Sequence, residues 1–208
     1  MLIDLEKLKE KYNLAVNGVL HVGAHHGEEA PFYYKMGWGP VWWVEAETDS
    51  FQVLERVISN YPNQFGVQAC VSDEPKVVTF HHANNGQSSS MLEFGTHSVE
   101  HPDVVFTETH SMMATTIDEL FDFEIIGEGN FLNLDIQGAE LLALIGGLHY
   151  LEHVDYVYTE VNQKELYKGC VQLPELDRWL ASCGFQRVEI DMTPHGWGDA
   201  LYIRRALL

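Results

Sequence analysis

The sequence predicts an α/β domain built on a mostly parallel sheet, with helices on both faces and an antiparallel last strand. Three observations lead there. Short, continuous apolar runs that stop at a glycine or an acid, VLHVG (19–23), VWWVEAE (41–47), NFLNLDIQG (130–138) and VDYVYTEVN (154–162), read as strands buried on both faces. Segments of about ten residues with helical spacing alternate with them, the pattern of parallel strands joined by crossover helices. The closing runs FQRVEIDM and DALYIRR are separated only by TPHGWG, which suits a hairpin and turns the last strand antiparallel. The 208 residues, 46% of them hydrophobic, suffice for one domain with a full core, so 1–208 is expected to be a single unit.

Taken in order, Leu2, Leu5, Leu8 and Tyr12 recur at helical spacing among charged residues, and a first helix is expected within 1–17, ended by Asn17-Gly18. The strand 19–23 follows. GEEAPFYYKMG (27–37) reads as a helix whose Glu28 and Glu29 suit the positive end of the dipole. After the strand 41–47, a helix is expected from Asp49 to Ile58, then one strand over FGVQACVS (65–72) and another over KVVTFHHA (76–83). The polar NNGQSSS (84–90) is a loop, and 91–114 shows little periodicity, so 84–114 is expected to be a lid or insertion. A short helix at TTIDELF, the strand 130–138, the helical AELLALIGG, the strand 154–162 and the helix PELDRWLASCG complete the alternation.

Composition excludes several function classes. Twelve Lys and Arg stand against 31 Asp and Glu, a formal charge of −19, which repels nucleic-acid backbones and anionic lipid. Neither nucleic acid nor a membrane is an expected partner. Cys70, Cys170 and Cys183 are odd in number and widely spaced, unlike a disulfide framework or a Cys-x-x-Cys site, and no run reaches the length of a membrane helix. A cytoplasmic location is expected, and the oligomeric state is left open.

In such sheets ligands bind beyond the carboxyl ends of the strands, so the strand ends are the informative positions. The first strand leads through Gly23-Ala24-His25-His26-Gly27 into a helix, a loop that either brings backbone close to a ligand or merely turns the chain. It has neither the G-x-G-x-x-G spacing of dinucleotide sites nor the phosphate-loop pattern. Glu45 closes the second strand about 20 residues on, where an acid binds a ribose diol or is simply solvated. Between Lys76 and Lys164 there is no Lys or Arg, whereas 14 acids occupy the same stretch. A triphosphate would call for cations there. S-adenosylmethionine, with a ribose diol, a cationic sulfonium and no phosphate, fits better.

Asp135 and Glu160 each close an apolar run and are candidates to position and deprotonate an acceptor hydroxyl, or else to cap the turns that follow. His25, in the loop, and His110 are further candidates for that base. His97 and His101, four apart with Asp103 nearby, match no known metal spacing well, and no metal is expected. Trp197, Tyr158, Tyr167 and Phe106 either stack on a sugar face or serve packing.

At these residues the chain resembles the FkbM-type class I S-adenosylmethionine-dependent methyltransferases, from about residue 18 to 205. VLHVGAHHGEE is similar to the family's first motif, commonly D-V-G-A-N-x-G. LNLDIQGAELLALIGG resembles its L-D-V-Q-G-x-E-x-x-x-L-x-G segment, the most specific of the three. VSDEPKVVTF followed by SSS resembles the middle region. The resemblance implies a Rossmann-like, seven-stranded sheet and S-adenosylmethionine as cofactor. It further implies that Gly23, Ala24, His25 and Gly27 line the methionine and ribose, Glu45 holds the diol, Ser72 and Asp73 approach adenine, and Asp135 and Gln137 face the reaction centre. His21 stands where the motif usually has an acid and His25 where Asn is common, which places the contact to the methionine amino group on another residue, with Asp135 in position to take it over. The implied activity is O-methylation of a carbohydrate hydroxyl in a glycan or glycoconjugate. The alternatives are a small-molecule O-methyltransferase, a nicotinamide-dependent oxidoreductase and a non-catalytic interaction domain.

Overall fold

The computed structural model describes residues 1–208. Ten strands form two sheets: β1 (Val19–Val22), β2 (Val41–Glu45), β3 (Gln64–Gln68), β4 (Cys70–Val71), β5 (Lys76–Ala83), β6 (Phe106–Thr115), β7 (Phe131–Leu134), β8 (Tyr156–Asn162), β9 (Phe185–Met192) and β10 (Trp197–Arg204). The larger sheet has seven strands in the order β3-β2-β1-β7-β8-β10-β9. All its pairings are parallel except those of β10, which runs antiparallel to both β8 and β9. The expected hairpin thus inserts the last strand between two parallel neighbours.

Central strands bury both faces. Val19, Val41 and Phe131 point to one side, where α1 (Leu5–Tyr12), α2 (Ala30–Met36) and α3 (Thr48–Ile58) supply Leu8, Tyr33 and Leu54. Leu20, Val22 and Leu132 point to the other. There α5 (Ile117–Asp122), α6 (Glu140–Ile145) and α7 (Leu173–Ser182) supply Ile117, Leu144 and Leu180. Alternate residues of one strand therefore feed two cores, and this is why the runs read as continuously apolar. Each buried leucine or valine contributes roughly 1.5–3 kcal/mol.

Several expected boundaries move for identifiable reasons. The first helix ends at Tyr12, well short of Asn17-Gly18, because Asn13 takes a left-handed backbone (φ 49°) and its amide donates to the Lys9 carbonyl. The helix expected over 27–37 begins only at Ala30, with Pro31 in its first turn, because Gly27 has φ 75° and residues before Ala30 form a turn. The single strand expected over 65–72 is two: β3 ends the large sheet's edge, the Ala69 amide donates to the Glu45 carbonyl, and β4 enters a second sheet ordered β4-β6-β5. The strand 76–83 forms, but in this second sheet. Residues 91–114, expected to be irregular, contain the short helix α4 (His97–Glu100) and the ten-residue strand β6, antiparallel to β5. Most β6 side chains are exposed, so it carries no apolar alternation from which to be read.

Candidate functional site

A cavity of about 520 Å³ opens beyond the carboxyl ends of β1, β2, β7 and β8, roofed by the 85–91 turn and by α4. Gly23, Ala24, His25, Glu45, Asp135, Gln137 and Glu160 all line it, so the structure brings most of the sequence-predicted site residues together. Gly27, Ser72 and Asp73 lie outside the wall. Gly27 packs against α3, where an added Cβ would stand 2.8 Å from Leu54 Cδ1. Ser72 is fully buried and its hydroxyl donates to Asp73, which is paired with Lys76. His110 also lies elsewhere, on β6 against Phe80 of β5.

Gly23 is required by the close approach of strands: it has φ 85°, its amide donates to the Val44 carbonyl at 2.9 Å, and a Cβ would meet the Asp135 carbonyl oxygen at 1.8 Å. The loop is then tied to β2. Glu45 Oε2 accepts from the His25 amide at 2.7 Å and Oε1 from the Glu47 amide at 2.8 Å, fixing the carboxylate at the cavity wall with acceptor capacity to spare. Burial lifts the Glu45 pKa to about 6 against the pull of those amides.

On the opposite wall Gln137, in a left-handed backbone (φ 55°), bridges the two expected catalytic acids. Its Nε2 donates to Asp135 Oδ1 at 2.7 Å and to Glu160 Oε2 at 3.0 Å, while its Oε1 accepts from the Tyr167 hydroxyl at 2.7 Å. Asp199 of β10 stands opposite Glu160 in the register and accepts from the Tyr158 hydroxyl. Burial first, and then the neighbouring carboxylates, raise the pKa of both Asp135 and Glu160. Glu160 lies within β8 and is not its last residue.

His21, where the family commonly has an acid, lines the cavity stacked on Trp43, its ring centroid 4.8 Å away. Burial lowers its pKa to about 3, so the ring is neutral and offers no charge in place of the acid. His25 is the opposite case: burial disfavours its charged form, but Glu28, Glu45 and Asp135 outweigh that and raise its pKa. Tyr167 and Trp197 reach the wall; Tyr158 and Phe106 do not. Sequence reading missed Glu28, Glu29, His97, His101 and Asp199 as wall residues. For Asp199 a signal existed, an acid inside the apolar run of a strand that pairs with Glu160.

The profile of the methyltransferase FkbM domain matches residues 21–187. The chain belongs to the FkbM methyltransferase family. It is an S-adenosylmethionine-dependent methyltransferase, and the expected nicotinamide alternative falls away with that membership. No curated protein matches the chain in sequence. Among solved structures, this FkbM chain is similar to magnesium protoporphyrin IX methyltransferase from Synechocystis PCC 6803 with bound SAM. The identity is 10%, the TM-score 0.54, and the match covers 96% of this chain and 76% of that one. A SAM-dependent methyltransferase from Aquifex aeolicus gives 14%, a TM-score of 0.52 and coverage of 98% and 90%. A protein of the NADB-Rossmann superfamily from Streptococcus agalactiae gives 14%, 0.52, 98% and 69%. At such identities these likenesses bear on the fold alone, and they agree with the Rossmann-like order of the large sheet.

Proposed function

We propose that the chain transfers the methyl group of S-adenosylmethionine to a hydroxyl of a sugar in a glycan or glycoconjugate. The observation that carries this reading is the composition of the cavity wall: six carboxylates, Glu28, Glu29, Glu45, Asp135, Glu160 and Asp199, and no Lys or Arg. Such a wall suits a cationic, phosphate-free donor and a polyol acceptor, and disfavours a nucleotide di- or triphosphate or a nucleic acid. In this reading the backbone from Gly23 to His25 approaches the donor, Glu45 accepts from the ribose diol, and Asp135 faces the donor's ammonium end and the acceptor. Trp197, half-buried at the wall beside carboxylates, offers a surface on which a pyranose ring stacks, whereas Tyr167 is buried against Phe94 and His97 and serves to hold Gln137.

Bound S-adenosylmethionine supplies a methyl group whose bond to sulfur breaks as the bond to the acceptor oxygen forms. The chain's part is to hold that oxygen in line and to take its proton. Asp135 is the preferred acceptor of the proton, because its raised pKa brings a carboxylate nearer to working pH, and Glu160 shares its load through Gln137. His25 is the alternative base. A cytoplasmic setting agrees with three cysteines that are all free; no helix is long and apolar enough to cross a membrane.

Calorimetry with S-adenosylhomocysteine tests the donor site: one-to-one binding is expected, weakened about 10- to 100-fold in Glu45→Ala by loss of a charge-assisted hydrogen bond. No binding by the wild type overturns the reading. Mass spectrometry of glycans and of small hydroxylated metabolites incubated with isotopically labelled donor tests the acceptor. Label only in the small metabolites would replace the glycan assignment.

A further inference from the structure

The turn between β1 and α2 gathers three metal-ligating side chains. One ligand atom each from His25, His26 and Glu28 lies within 4.8 Å of the others. Donors held about 2.0–2.2 Å from one ion stand roughly 3–3.5 Å apart, so the spacing suits one ion once the half-buried His26 ring swings off its neighbour and turns its in-plane lone pair toward the same point. The two imidazoles are stacked with centroids 3.7 Å apart and planes at 21°, and Glu28 Oε1 is 2.7 Å from His25 Nδ1. The scaffold is fixed before any ion arrives. His25 holds a left-handed backbone (φ 44°), its amide is anchored on Glu45, and the second Glu28 oxygen accepts from the His26 amide at 3.2 Å.

We propose that His25, His26 and Glu28 form a binding site for one divalent transition-metal ion at the rim of the cavity. Two imidazoles and one carboxylate are the donor set of zinc, iron(II) and cobalt(II) sites that keep open coordination positions. Magnesium and calcium, which take oxygen shells, fit it poorly. The nearby wall, with Glu29, Glu45 and Asp135 and no Lys or Arg, draws cations toward it. His25 and Glu28 belong to that wall and His26 does not, so an ion held by all three adjoins the cavity. An acceptor hydroxyl could then lean on it as a Lewis acid. That consequence rests on the function proposed above; the binding itself does not.

Titration of the full, chelator-free chain with cobalt(II), followed by visible absorption and calorimetry, tests the site. One equivalent is expected to bind, and His26→Ala or His26→Gln should weaken it at least about tenfold. Affinity for S-adenosylhomocysteine should stay within about twofold in the same variants, since His26 is outside the wall. His149→Ala, which removes an exposed histidine paired with Asp122, should leave cobalt binding unchanged. Absence of saturable one-to-one binding, wild-type affinity retained in both His26 variants, or loss in His149→Ala instead would overturn the proposal. Cobalt binding without S-adenosylhomocysteine binding would support this site while sinking the donor reading.

Discussion

At Gly23 the chain has no room for a methyl group. A Cβ would fall 1.8 Å from a backbone oxygen that belongs to the neighbouring strand's end, and backbone does not move aside as a side chain does. Gly23→Ala is therefore expected to cost on the order of 4 kcal/mol or more, read as a fall in Tm of roughly 10 °C or more. Asp135→Asn asks a different question, because it keeps the hydrogen-bonding outline of the Gln137 bridge while removing the charge. Turnover should fall about 10²- to 10⁴-fold with the fold intact by circular dichroism; unchanged turnover would shift the proton to Glu160 or His25. Gly23, Glu45 and Asp135 were legible because each ends an apolar run, and strand ends are where such sheets bind ligands. His97 was not, since the fold-back of α4 that brings it to the cavity leaves no local mark; Asp199 was overlooked although the antiparallel return of its strand was legible and the pairing of that strand sets it opposite Glu160.

Among elements, the turn from β7 into α6 shows how a buried acid can build structure. Glu140 is almost fully buried, and its Oε1 accepts from the Ile136 amide at 3.2 Å and the Gly138 amide at 3.1 Å, satisfying donors that the turn would otherwise orphan. Burial lifts its pKa to about 7. Glu140→Ala should destabilise by about 2–4 kcal/mol, because two amides lose their acceptor. Glu140→Gln keeps the oxygen, and in denaturant melts above pH 8 it should equal or exceed the wild type; a loss as large as that of Ala would show that the charge itself is needed. The same turn was visible in the sequence as Gly138 after an apolar strand, but its internal acceptor was not. The large sheet was readable for a related reason: strands buried on both faces are written as unbroken apolar runs. The second sheet was not, because β6 faces water along most of its length and β4 is two residues joined to β3 by a single Ala69.

Over the whole molecule, the buried titratable groups set where in pH the fold is firmest. Burial lifts Glu29 and Glu140 to about 7 and Glu45 to about 6, against the pull of the terminal ammonium on the first and of backbone amides on the other two, and burial with neighbouring carboxylates raises Asp135 and Glu160. Each of these folded-state values exceeds the unfolded carboxylate range of about 4, so the native chain binds protons that the unfolded chain does not, and their ionisation costs stability as pH rises toward 7 and beyond. His21 near 3 and His97 near 4 work in the other direction. Their folded values lie below the imidazole range of about 6.5, so the stability of their neutral rings is present above that value and lost as pH falls through 4. The five raised acids outweigh the depressed histidines, among which His26 is also lowered by burial, between about pH 7 and 6; near pH 5 the unfolded acids begin to take protons too, and the advantage closes. The net charge of −19 adds self-repulsion that eases in the same direction on mild acidification. Differential scanning calorimetry of the ligand-free chain should thus give Tm rising from pH 8 to a maximum between about 5 and 6, then falling. A cation held among the carboxylates at pH 8 should recover part of the difference, and a Tm that climbs steadily from pH 5 to 8 would mean that these acids are not held above their ordinary range.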